Sequence, residues 1–174
     1  MTGRKAVLAA GLAAVGLAAA ALGGFPPPGL GPQQVDDQLV KRIAVPGDAG
    51  WVDTGLDVRA GEELLISASG EVSLQRGNPA AAGGPAGLDL LTVDQPIPNE
   101  NFGALIGKVA QFVASRLDED TGGEVRDEIF VLFVIGSERT VSVPIKGRLY
   151  LGVNEKVTRD NGGEFAVVIS RRPV

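Results

Sequence analysis

Apolar residues in this chain recur at every second position, in short runs broken by Gly, Pro and Asn, as in Leu64-Ile66-Ala68 and Val141-Val143-Ile145. A period of two sends alternate side chains to opposite faces of an extended backbone, so each run buries one face and leaves the other wet. Such runs appear as VKRIAV from residue 40, WVDTGLDV from 51, ELLISASGEVSL from 63, FGALIGKV from 102, IFVLFVIG from 129, TVSVPI from 140, then GRLYLGV and GGEFAVVI. No stretch sustains a 3.6-residue period; residues 107–117 are the single piece expected to be helical, weakened by Gly107 and its valines. Many short strands without interleaved helices predict an all-β domain, an antiparallel β-sandwich of the jelly-roll kind.

The ends and the insertions divide the chain. Arg4 and Lys5 precede an uncharged Ala/Leu/Val/Gly run over 6–24, which predicts a signal peptide or signal anchor over 1–24. Export follows from this, with the protein periplasmic, extracellular or held at the outer face of the cytoplasmic membrane through residues 6–24. Three consecutive prolines open a semi-rigid spacer over 25–38, and the domain is expected over 39–174. Inside it, residues 75–101 are rich in Gly, Ala and Pro, too long for a turn and unlike a strand. The stretch 117–127, LDEDTGGEVRD, is expected to form a solvated acidic hairpin tip.

Net charge is −5, which argues against nucleic acid as a partner. The chain has neither Cys nor His, so thiolate and imidazole ligands are absent and a metal has to be held by oxygen. The same absences remove the commonest nucleophile and general base, and the chain is read as non-catalytic.

Oxygen is concentrated between the last two apolar runs, where Asn154, Glu155, Asp160 and Asn161 stand within eight residues. Ca²⁺ takes six to eight oxygens from carboxylates, amides and backbone carbonyls of one loop. Glu155, Asp160 and Asn161, with carbonyls near Val157 and Thr158, form such an inventory. The competing reading is a hairpin whose Asp-Asn-Gly-Gly turn uses Asp and Asn for their own backbone. Lys156 and Arg159 are expected to point away from the carboxylates. Trp51 and Tyr150 have faces suited to a sugar ring, with Trp51 expected in the core.

The order of motifs resembles the PA-IL-type, galactophilic and calcium-dependent bacterial lectins. It is carried by W-V-DTG-L-D-V-R-A-G from Trp51 to Gly61, LLISASGEV, GPAGLD from Gly84 to Asp89, FGALIGKV, and GRLYLGVNE…DNGGEFAVVI. The resemblance spans about residues 40 to 171. It implies Ca²⁺ in the loop between the last two strands, held by Glu155, Asp160 and Asn161 and by carbonyls at Leu74 and Thr158. It also implies a glycan partner, of galactose type in the family, with Asp89, Asn99 or Asn101 adding hydrogen bonds, and self-association as in the lectins. The chain departs from the family in a shorter loop, in Glu for Asp and Asp for Asn among the ligands, and in having no His to contact the sugar. The other function open to such a sandwich is a structural or protein-interaction role without sugar.

Overall fold

The computed structural model describes residues 37–118 and 122–172, so the apolar segment 1–24 and all but the last two residues of the spacer lie outside the described residues. Eleven strands occur among them: β1 Gln38–Pro46, β2 Trp51–Val58, β3 Glu63–Ser73, β4 Ala82–Gly83, β5 Leu88–Leu91, β6 Asn101–Phe102, β7 Leu105–Leu117, β8 Glu124–Val134, β9 Glu138–Ser142, β10 Gly147–Val153 and β11 Gly162–Arg171. One sheet runs β1-β11-β3-β4, with β9 also on β3; the other runs β2-β10-β7-β8; β5 and β6 form a separate ribbon. All pairings are antiparallel. The all-β sandwich expected from the period of two is what the chain forms.

Alternation builds the core directly. Leu64, Ile66 and Val72 of β3 and Phe165, Val167 and Ile169 of β11 face Leu105 and Val109 of β7 and Leu149, Leu151 and Val153 of β10, each at most 3% exposed. Each such side chain contributes about 1.5–3 kcal/mol by leaving water. FGALIGKV is core as expected, with Ala104, Leu105, Ile106 and Val109 fully buried.

Three expectations are corrected. Residues 107–117 are strand, not helix: they continue β7, paired to β8 from Ile106↔Val134 to Leu117↔Glu124, so cross-strand bonding overrides the local propensity. The 75–101 insertion is not strand-free, since it holds β4, β5 and the start of β6, together with a 3₁₀ turn at Pro79–Ala81 capped by Asn78. Trp51 is not core. β2 turns Thr54 and Val58 inward and Trp51, Asp53, Gly55 and Asp57 outward, leaving Trp51 37% exposed. Of the acidic stretch, Leu117 and residues 124–127 belong to the paired strands β7 and β8, while 119–121 lie outside the described residues.

Gly107 lies opposite Phe133, and a Cβ there would sit 2.4 Å from the ring's Cε2. The aromatic ring occupies the place a side chain would need. Gly107→Val is expected to force the ring aside and cost about 1–3 kcal/mol in chemical denaturation; an unchanged midpoint would show that Phe133 swings out freely.

Candidate functional site

β10 and β11, the two runs flanking the oxygen-rich loop, do not pair with each other. β10 lies between β2 and β7 in one sheet, while β11 lies between β1 and β3 in the other. Residues 154–161 are therefore a crossing between the layers and not the hairpin that was the bland alternative. A chain leaving one sheet for the other gives up ladder partners on both sides and has to satisfy its polar groups within the crossing.

Asn154 begins the crossing, fully buried. Its Oδ1 accepts from the Ile97 N–H (2.9 Å), and its Nδ2 donates to the carbonyls of Ile97 (3.1 Å) and Asn101 (3.3 Å). This pins the loop that leads into β6. Gln95, 7% exposed, holds the same loop from inside by donating to the Ile97 and Glu100 carbonyls. Lys156 reaches Asp94 (Nζ to Oδ1, 2.9 Å), and among the described residues it forms no ion pair with Glu155.

Asn161 closes the crossing at the foot of β11, also fully buried. Its Nδ2 donates to the Gly47 carbonyl (3.1 Å) and to Glu155 Oε2 (2.5 Å). Rotating the amide by half a turn would set its oxygen against both acceptors, so the orientation is fixed by chemistry. Asn161 Oδ1 is left buried with no hydrogen-bond partner. Backbone bonds lock the surroundings: the Asn161 N–H donates to Thr158 O (3.0 Å), Gly47 N–H to Gly163 O (2.9 Å) and Arg76 N–H to Asp160 O (2.8 Å). Gly163, at φ 78°, lets β11 start hard against β3, where a Cβ would lie 2.3 Å from the Glu71 carbonyl oxygen.

Glu155, Asp160 and Asn161 are thus brought together. Burial raises the Glu155 carboxyl above its usual range, the Asn161 hydrogen bond pulls it down, and the Asp160 charge pushes it up again. Asp160 itself is exposed. The carbonyl of Thr158 has one acceptor site engaged by Asn161 and a second to offer. Leu74 directly follows β3: its N–H donates to Ala81 O, and Arg76, two residues on, binds both Asp160 and Asn161 carbonyls. Arg76 was not singled out in the sequence. It also reaches Asp48 (3.5 Å), and only the fold sets its guanidinium beside the crossing.

The other expected residues lie on the β5–β6 ribbon or the loop between its strands. Asp89 and Asn99 are exposed on β5 and on the loop before β6, Asn99 in a left-handed turn at φ 59°. Asn101 directs its amide to the Ala86 carbonyl (3.0 Å). Among the described residues, no hydrogen bond or ion pair links these three side chains to Glu155, Asp160 or Asn161.

The donor set at the crossing suits an oxygen-seeking cation: two carboxylates, one buried amide oxygen without a partner and nearby carbonyls. It is sparse in charge, because among the described residues no three Asp or Glu side chains gather as a metal site.

Among solved structures, the chain is similar to the EclA N-terminal domain, a PllA-like lectin, at 22% identity and a TM-score of 0.52, over 78% of this chain and 98% of that one. The likeness is one of fold, an all-β sandwich. No family model matches the chain, and no curated protein matches it in sequence.

A raised folded-state carboxyl binds its proton more tightly than the unfolded chain does. Stability is therefore expected to fall as pH rises from about 4.5, the ordinary Glu value, through the higher folded one. Glu155→Gln keeps an acceptor for Asn161 without the charge. Thermal melts in chelator should show that this variant loses that decline and is the more stable at neutral pH; parallel curves for both proteins would contradict the assignment.

Proposed function

We propose that this sandwich is a non-catalytic, calcium-dependent carbohydrate-binding module, exported from the cytoplasm, with its ion held where the chain crosses from β10 to β11. The observation that carries the reading is Asn161 Oδ1, an acceptor buried without a partner beside a carboxyl whose charge is disfavoured. A divalent cation would satisfy the first and reverse the second. Glu155, Asp160 and Asn161 are the side-chain ligands in this reading, with the carbonyls of Thr158 and Leu74. Bound there, Ca²⁺ supplies open coordination positions for two adjacent sugar hydroxyls. Asp89 and Asn99, exposed on the ribbon side, and Asn101 are the groups left to orient the saccharide. The lectin-like fold of the EclA domain supports this reading.

A second reading, protein interaction, is favoured by the outer half of the β7–β8 hairpin, where Phe112, Ile129 and Phe130 are each more than half exposed. Self-association through that arm is compatible with either.

Calorimetric titration of the full chain with Ca²⁺, paired with melts, tests the first reading. Calcium at a hundredfold over its Kd is expected to add about 2.7 kcal/mol of stability, and Asp160→Ala to lose affinity while its calcium-free melt stays near wild type. Absence of heat at millimolar ion, or equal binding by Asp160→Ala, returns the crossing to a structural role. Export is tested by fusing an export-dependent reporter after Pro32, which is expected to be active; an inactive fusion contradicts the localisation.

A further inference from the structure

The outward face of the β2-β10-β7-β8 sheet carries an aromatic array that the crossing site does not use. Trp51 of β2 pairs with Gly152 of β10, and Tyr150 pairs with Lys108 of β7, so the four meet on adjoining strands. A Cβ at residue 152 would lie 3.0 Å from Trp51 Cε3, which means the indole rests on bare backbone. The Lys108 ammonium sits 5.0 Å from the Trp51 ring centre and 4.7 Å from that of Tyr150. Two ring faces hold it in place. Arg148, on the same face, is already paired to Asp53 (2.9 Å) and Asp57 (3.1 Å), whereas among the described residues no carboxylate lies within ion-pair distance of Lys108.

Two open clefts flank this array. One, of about 590 Å³, is lined by Trp51, Lys108, Glu128 and Phe130; the other, of about 470 Å³, by Tyr150, Phe112, Arg148 and again Glu128. Each is in the size range of small-molecule sites, and the shared Glu128 joins them into a groove across the strands. Its chemistry is that of a polyhydroxylated ligand: an ammonium fixed between two rings to donate to hydroxyl or ring oxygens, a carboxylate to accept from hydroxyls, and the exposed edge of the indole for apolar C–H contact. Opposite charges on the two sides disfavour a strongly anionic or cationic ligand, which each would repel in turn.

We infer that this face is a second, metal-independent saccharide site, taking a neutral oligosaccharide of at least two pyranose units across Trp51, Lys108 and Glu128. It borrows only its ligand class from the function proposed above.

Trp51 is the chain's single tryptophan, so its emission reports on this groove directly. The full chain is to be titrated in chelator with lactose, cellobiose and maltose, following both heat and emission. At least one disaccharide is expected to bind and to shift the emission to saturation, with Lys108→Met, which keeps the fluorophore, weakening binding tenfold or more. A flat emission with all three sugars overturns the site. So does an unchanged affinity in Lys108→Met, or a shift that appears only when Ca²⁺ is added, since each detaches the groove from the chemistry assigned to it. Binding with calcium alone and silent Trp51 emission would uphold the crossing site and reject this one; the reverse result would do the opposite.

Discussion

The buried amide of Asn161 is the fixed point of the decorated end of this sandwich. With its two N–H bonds it ties the crossing loop to itself through Glu155 and to the β1–β2 connection through Gly47. The bond to Gly47 is buried and the one to Glu155 part-buried, settings in which a hydrogen bond is stronger than in water and costly to lose. Arg76 adds a strap from the end of β3 over the Asn161 carbonyl. Three connections from different parts of the chain are thereby drawn to one spot, and the orphaned oxygen on the same amide is a by-product of satisfying the nitrogen twice.

That arrangement sets the crossing apart from an ordinary surface loop. Its polar groups are not merely solvated: one carboxyl is partly desolvated, one amide is sealed in, and a guanidinium stands at the rim. A structure that holds two carboxylates near each other without a third and with an arginine at hand has only part of the charge that tight calcium sites gather. The groove on the β2-β10-β7-β8 sheet is the reverse case, its chemistry displayed on an outward sheet face.

The sandwich was legible in the chain because alternation is a local property: Leu64-Ile66 and Val141-Val143 each declare their face without reference to anything distant. Glu155, Asp160 and Asn161 were legible as a group because they are close in sequence. What could not be read was decided by partners far along the chain. Residues 107–117 read as weakly helical until β8 pairs with them, and Trp51 read as core because a lone tryptophan usually is, whereas the register of β2 turns it outward. The separation of β10 from β11 into different sheets was hidden too, since two apolar runs with a short link look alike whether they pair or part. Arg76 gave no local signal, and Asn154 stood out only as one more oxygen of the loop, because the roles of both exist only once the 75–101 segment folds over the crossing.

β1 and β11 run side by side from Gln38 opposite Arg171 at one end to Pro46 opposite Glu164 at the other. Both the first described strand and the last therefore open at the same pole, and the crossing lies at the other, about 26 Å away at the usual rise per strand residue. The domain has in this way a stem end and a crown end. A tension applied at residue 37 would load the β1–β11 ladder along its length in shear before reaching Asn161.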